Sequence, residues 1–341
     1  MSILIISNST DIHANVIAKS IEVTDGIEVN IITANDFLQT NNLSINFNSS
    51  KVCLNEKDTT RSVFFSTWLR RLDPPSVDCY SDQENKFVTS EFRNYYFSTL
   101  RMLQNSGKWN VRFSDLYHAS DKAVQLQIAK SVGLKIPETI ISNSPKKILE
   151  FLNSSEQEYI YKPYRVEFWN GSQKATLTSK IEKPKLKENQ VILGTSPGIY
   201  QRYLEKDYEV RVTFFDRYYI AAKLHSQEKK STKLDWRMGQ LNLDAERIKL
   251  PDDIFSKCCN LMSILKISHG CFDFIVKNGI YYFLEVNVTG NFLWLEKLDE
   301  NEFPMTKICS AFLAHGMSGF SPELSDVDKY PSLLEVESLI G

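Results

Sequence analysis

Between Cys271 and Asn287 the chain reads CFDFIVKNGIYYFLEVN, two apolar strands around Lys277-Asn278-Gly279, and this hairpin constrains the C-terminal half more than any other segment. It places carboxylates at Asp273 and Glu285 and an amide at Asn287 among Phe283, Leu284, Phe292 and Trp294. Side chains alternate faces along a strand, so the register decides whether the polar groups meet. A strict two-residue turn on Asn278-Gly279 would send Asp273 and Glu285 to opposite faces. A three-residue loop of type I geometry, with Gly279 left-handed, shifts the register by one and gathers Asp273, Glu285 and Asn287 on one face. The three-residue loop is the expected geometry. Two carboxylates and an amide oxygen form a hard, all-oxygen set suited to Mg²⁺. The bland alternative is a hairpin with a solvated polar face. The apolar neighbours weigh against it, because carboxylates buried among them need a partner or a cation.

Charge and composition exclude several classes. Lys plus Arg number 40 against 42 Asp plus Glu, a formal net charge of −2, which offers no broad basic surface for nucleic acid. The six cysteines form no CxxC pair and no zinc-like cluster with histidine, as in a reducing, cytoplasmic setting. The apolar run Ile3 to Ile6 is followed at once by polar residues and is too short for a signal peptide. No run approaches the roughly 18 apolar residues that span a membrane. The histidines show no nucleophile–base pattern, and a Ser-His-Asp hydrolase lacks its GxSxG.

At 341 residues the chain should hold two or three domains. Residues 1–113 read as an N-terminal α/β domain, with strands at 2–6, 28–32 and 62–68, a helix over 14–21, a long surface loop over 39–60 and a helix over 91–104. In 114–200, Ser120 is the expected N-cap of a helix that stops at Gly133, followed by strands at 139–141 and 159–162 around a helix begun by Ser144-Pro145. Residues 165–198 are polar and read as a lid. In 201–320, strands fall at 200–204, 209–215 and 218–224. Val210, Val212 and Phe214 alternate with Glu209, Arg211 and Thr213, which predicts one buried and one polar face. A helix follows Pro251, and 321–341 reads as an acidic tail with a short helix.

FLEVNVTGNFLWLE (283–296), with Asp273 twelve positions before Glu285, resembles the C-terminal signature of ATP-grasp ligases. It is most similar to the branch that macrocyclises ribosomal peptides, the microviridin-type or graspetide ligases. Other pieces resemble that branch in the same order: STWLRRLD (66–73), DKAVQLQIAKSVGLKIPETIISN (121–143), YIYKP (159–163), QRYLEKDYEVRVTFF (201–215) and Asp235-Trp236-Arg237. Val288 stands where proline is usual, Arg202 where an acidic hinge residue is commoner, and 164–174 holds only Gly171 in place of a glycine-rich phosphate loop.

The resemblance implies an α/β (α+β) ATP-grasp fold, two α+β subdomains gripping ATP, preceded by the N-terminal α/β domain. It implies ATP and Mg²⁺ as cofactors, the metal on Asp273, Glu285 and Asn287. Lys162 would reach the α/β-phosphates, and Lys122 would be a second lysine on the phosphate or adenine side. Backbone groups of Gln201, Tyr203 and Leu204, next to Arg202, would hold adenine, with Leu204 or Ile275 against the ring. Glu209 would meet the ribose hydroxyls and Arg211 the phosphates. Arg237 would bind the acceptor carboxylate, Asp235 would orient it or act on the incoming nucleophile, and Trp236 would pack. The implied partner is a ribosomal precursor peptide with a leader and an acidic, Thr-rich core, whose Asp or Glu side chains are joined through an acyl phosphate to Thr, Ser or Lys as ester or amide macrocycles. A homodimer is compatible with the resemblance. The alternatives are a RimK-like ligase adding amino acids to a protein or peptide terminus, and a non-catalytic nucleotide- and peptide-binding module.

Overall fold

Ser2–Ile6 is apolar on both faces and becomes strand β1, buried at every position as expected in the middle of a parallel sheet. The structure, a computed structural model, describes all residues except 1, 36–42, 50, 55–56, 59–63, 74–76, 78–80, 106, 165–177, 184–189, 230–231 and 341. Helix α1 (Ile12–Asp25) follows; the Asp11 side chain caps its start and left-handed Gly26 ends it. After β2 (Val29–Ile32) come β3 (Leu43–Asn46), β4 (Lys51–Leu54) and β5 (Lys57–Asp58), a small antiparallel sheet where composition had suggested a surface loop. The Asn- and Ser-rich content masks a period-two pattern, and the Asn46 side chain accepts from the amides of Asn48 and Ser49 to make the turn. Strands β6 (Phe64–Leu69) and β7 (Lys108–Trp109) complete a parallel sheet of order β2-β1-β6-β7.

Helix α2 (Asp82–Leu103) starts nine residues before its apolar stretch suggests, because Ser81 and Glu84 form a capping box. Helix α3 (Phe113–Ser120) was not anticipated; it ends at the serine expected to cap the next helix, and Asp121 caps α4 (Lys122–Ser131), accepting from the amides of Ala123 and Val124. The second sheet is built from β8 (Thr139–Ser142), β9 (Tyr159–Lys162), β10 (Ser179–Lys180) and β11 (Gly198–Arg202), in the order β10-β9-β11-β8. Helices α5 (Pro145–Leu152) and α6 (Gln190–Thr195) accompany it, and Ile148, Leu152, Tyr159, Leu193 and Tyr200 form a small core. Most of the expected lid and of the 164–174 phosphate stretch lies outside the described residues.

The third sheet is antiparallel: β12 (Tyr208–Phe215), β13 (Tyr218–Leu224), β14 (Ala245–Ile248), β15 (His269–Lys277) and β16 (Ile280–Asn287), in the order β14-β13-β12-β15-β16. β12 is buried from Glu209 to Phe215, so its polar face is enclosed rather than solvated. Helix α7 (Asp252–Leu265) buries Cys258, Leu261 and Leu265 in a core shared with Phe272 and Phe283. Short α8 (Leu293–Glu296), α9 (Met305–Ala314), α10 (Leu324–Asp328) and α11 (Leu333–Ile340) finish the chain. The final twenty residues are not a loose tail. Tyr330, Leu333 and Val336 are buried in a core with α1, and the buried Glu296 carboxylate accepts from the amides of Leu333 at 2.9 Å and Thr306 at 2.7 Å. Their acidic composition conceals these apolar anchors.

The first 113 residues have a sheet of their own but share both large cores with the C-terminal sheet. Leu4 and Ile6 belong with Phe272 and Phe283, while Ile3 and Ile5 belong with Phe215, Phe292 and Leu313. No helix among the described residues is long and apolar enough to cross a membrane.

Candidate active site

The β15–β16 hairpin reaches its register by an unexpected route. Lys277 pairs with Ile280, so the turn is the strict two-residue one on Asn278-Gly279, with φ of 51° and 73°. Positive φ at both positions is the type I′ geometry that Asn-Gly favours, not the three-residue loop. A regular ladder from that turn would separate the two carboxylates. Instead the register shifts between Asp273 and Phe274: Phe274 pairs with Phe283 and Asp273 with Glu285, leaving Leu284 as the extra residue of a β-bulge. Asp273 and Glu285 therefore face each other across the strands. Asn287 pairs with Cys271 one alternation further on, at the exposed end of β16.

Each carboxylate is held by cations. Arg211 on β12, directly opposite Asp273, donates to Asp273 Oδ2 at 2.8 Å. Asp273 Oδ1 is buried and has no hydrogen-bond partner. Burial pushes the Asp273 carboxyl up, against the opposing pull of Arg211. Glu285 lies 3.3 Å from Lys122 and 3.7 Å from Arg237. Burial acts against its charge, yet Lys122, Arg237 and Lys162 together hold it below the usual carboxylate range. Lys162 ends β9 and donates to Gln201 Oε1 at 2.9 Å; burial lowers its ammonium to about 8 although Glu285 favours the charge. Asp235 grips Arg237 with both oxygens, at 2.8 Å from Nε and 2.7 Å from Nη2, leaving the Arg237 side chain 47% exposed at the mouth. Burial alone would raise the Asp235 carboxyl, but these hydrogen bonds hold it low, as an ionised orienter.

The opposite wall comes from the second sheet. Ile160, Lys162, Ile199 and the hinge 201–204 line one side of a cleft whose other side is Lys122 of α4, Glu209, Asp235, Arg237, Asp273, Ile275 and Glu285. The Gln201 amide nitrogen donates to Thr139, Arg202 pairs with Glu138 at 3.4 Å, and the Tyr203 amide donates to the Glu158 carbonyl at 2.9 Å. The Tyr203 N–H is therefore engaged within the protein. Two expected residues are not on the cleft wall. Arg211, 4% exposed, lies behind Asp273 and spends its second nitrogen on the Asn291 carbonyl at 3.1 Å. The Asn287 Oδ1 accepts from the Thr289 amide at 3.1 Å. Trp236 stacks on Trp294 at 4.8 Å.

No family model matches the sequence, and no curated protein does. Solved structures do. A RiPP-associated (ribosomally made, modified peptide) ATP-grasp ligase of Chryseobacterium gregarium, in complex with ADP and a leader and core peptide, superposes with a TM-score of 0.79 at 25% identity, covering 98% of each chain. The macrocyclase MdnC of Microcystis aeruginosa MRC, bound with its precursor peptide MdnA, gives 0.79 at 24% identity over 92% of this chain and 100% of that one. The ATP-grasp ligase PsnB, complexed with a minimal precursor variant, Mg and ADP, gives 0.73 at 17% identity over 93% and 98%. The chain has the ATP-grasp fold.

In this ATP-grasp cleft the sequence assigned no role to one further charged group, the lysine of the Lys206-x-x-Glu209-x-Arg211 segment. Lys206, 7% exposed, forms an ion pair with Glu209 at 2.7 Å and also reaches the Leu234 carbonyl at 3.3 Å. The i, i+3 spacing of Lys206 and Glu209 in YLEKDYE was the available signal. Leu126, Thr178 and Leu284 add apolar and hydroxyl surface. Among the described residues no cluster of three or more His, Cys, Asp or Glu could hold a metal. The hard carboxylate oxygens of Asp273 and Glu285, with Asp273 Oδ1 unpartnered, suit a cation accustomed to oxygen ligands and retained water.

Proposed function

We propose that this chain is an ATP- and Mg²⁺-dependent ligase that activates Asp or Glu side chains of a ribosomal precursor peptide and closes ester or amide macrocycles onto Thr, Ser or Lys. One observation carries the reading: Asp273, with a buried unpartnered oxygen, stands across from Glu285 in a cleft that also presents Lys122, Lys162 and Arg237. Its support is the fold shared with ligases solved with ADP and precursor peptides. Mg²⁺ on Asp273, Glu285 and Asn287 would neutralise nucleotide phosphate charge.

The remaining chemistry belongs to side chains. Lys162 and Lys122 bind phosphate oxygens as point charges, a role for which both now share Glu285 as counter-ion. Glu209 meets the ribose once its pairing with Lys206 rearranges. Arg211 holds Asp273 in place. Arg237, pinned by Asp235 and open to solvent, orients the acceptor carboxylate beside the γ-phosphate and stabilises charge on the acyl phosphate. A hydroxyl or amine of the same peptide then displaces phosphate, and shielding the cleft from water protects the intermediate. The acidic, Thr-rich core, a homodimeric assembly, a cytoplasmic location and the division into 1–113, 114–200, 201–320 and 321–341 belong to the same reading.

The test is incubation of the protein with ATP, Mg²⁺ and a peptide carrying a leader and an Asp-, Glu- and Thr-rich core. ADP and phosphate should appear with loss of one water from the peptide mass per ring. With free amino acids added, nucleotide turnover with a peptide mass gain of one residue or more would instead indicate amino-acid addition to a terminus. Neither product would reduce the chain to a binding module.

A further inference from the structure

Arg70, in the Trp68-x-Arg70-Arg71 stretch of β6 and its exit, has no solvent exposure. A buried guanidinium is tolerated only where its donors are matched. Besides Asp11, which meets Nε and Nη2, its partners lie in one loop more than two hundred residues away. Nη1 donates to the Thr289 carbonyl and, at 3.1 Å, to that of Gly290, while Nη2 donates to Asn291 Oδ1. Its Nε lies 3.1 Å from Asp11 Oδ2, and Asp11 is itself fixed as the cap of α1 and by the Ser7 hydroxyl at 2.6 Å. Arg71 donates to the same Asn291 oxygen at 2.9 Å. One step on, His13 Nε2 accepts from the amides of Phe292 at 3.1 Å and Leu293 at 3.2 Å.

This loop begins directly after Asn287 and touches the two sides of the metal set. The Thr289 residue whose carbonyl Arg70 holds donates its amide to Asn287 Oδ1 at 3.1 Å. The Asn291 residue whose side chain Arg70 holds gives its carbonyl to Arg211, which grips Asp273. We propose that Arg70 is a positioning residue for the metal centre, fixing loop 289–291 so that Asn287 stands at a set place relative to Asp273 and Glu285. The inference rests on the reading of those three residues as the metal ligands. Arginine suits the task because its planar fork meets several oxygens in fixed directions, which a lysine ammonium does not. The N-terminal module thereby becomes part of the catalytic apparatus, though none of its described residues lines the cleft.

The test uses the full chain with Arg70→Lys and with Asn291→Ala. Asn291 is exposed, so its truncation removes one of the three loop oxygens that Arg70 holds, and the Arg71 acceptor, without emptying the core. ADP binding is measured by calorimetry in EDTA and across a Mg²⁺ series, with near-UV circular dichroism as the check of fold. Losing support behind a metal ligand typically weakens the metal by 10–100-fold, so the Mg²⁺ concentration giving half of the metal-dependent gain in ADP affinity should rise at least about tenfold. Affinity in EDTA should stay at the wild-type value, a separation that a merely structural cross-link would not produce. If Arg70→Lys fails to fold, Asn291→Ala decides alone. A wild-type Mg²⁺ midpoint in a folded variant overturns the inference and leaves the ligase reading intact. A wild-type chain whose ADP binding ignores Mg²⁺ overturns the metal reading and this inference with it.

Discussion

Replacing Glu285 with Gln removes the one charge around which three cations of the cleft are organised. At an effective dielectric near 20, unit charges 3.3 Å apart interact by about 5 kcal/mol. That figure is an upper bound, because the Lys122 and Arg237 side chains are 30% and 47% exposed and water screens both contacts. Partly solvated pairs of this kind contribute about 1 kcal/mol each, so freeing the two cations makes about 2 kcal/mol available to an incoming anion. Glu285→Gln should therefore bind ADP without Mg²⁺ up to about thirtyfold more tightly than wild type. On the proposed reading the same change deletes a metal ligand, so added Mg²⁺ should give little further gain and peptide cyclisation should be lost. Calorimetric titration of ADP in EDTA and in Mg²⁺, at low and high salt, reads both effects; the gain in EDTA should shrink as salt rises. Unchanged or weaker binding in EDTA, together with a full Mg²⁺ response, would refute the placement of the cation at Glu285.

Two further outcomes follow from the buried surroundings. Burial lowers His269 to about 3, against about 6.5 in an unfolded chain, so between these values the unfolded state binds the extra proton. Stability from this residue is full above pH 6.5 and is lost as pH falls, by about 2 kcal/mol at pH 5; urea melts at pH 7.5 and 5 should show a shallower loss in His269→Gln, and an identical slope would show that the ring is not held neutral. A Cβ on Gly290 would sit 2.5 Å from Cys271 Sγ and 2.7 Å from its Cβ, so Gly290→Ala should shift the loop, destabilise by about 1–3 kcal/mol in urea melts and weaken the Mg²⁺ response of ADP binding, whereas wild-type stability would mean the backbone relaxes freely there.

Period and capping rules made much of the ATP-grasp framework legible. The strand at Tyr159–Lys162 and the one at Tyr218–Leu224 were readable to the residue from alternation and flanking turns. The sharing of one face by Asp273 and Glu285 was also legible, but by the wrong route. Asn278-Gly279 signals a type I′ turn, and the bulge at Leu284 that rescues the register has no compositional mark, because it arises where the partner strands must be fitted to their neighbours. Glu209 and Arg211 were legible as a polar face but not as an enclosed one, because alternation reports two faces, not what covers the second one. The long-range partners of Arg70 were invisible for a similar reason. A guanidinium next to a leucine and an arginine reads as surface until the loop that occupies its donors has been folded onto it.

The shared cores also bear on how the chain can assemble. Ile3 and Ile5 find their apolar neighbours at Phe292 and Leu313. At a translation rate of 5–20 residues per second, roughly 15–60 s separate the synthesis of the first strand from that of its cover. During that interval the apolar strand has only the N-terminal part of its core, α1 and Trp68, to cover it, and a nascent chain in this condition is a natural client for holding factors at the ribosome. The same architecture makes trimming from the far end hazardous. Losing Tyr330 to Val336 would uncover α1, and with it the strand that leads into the Arg70 clamp.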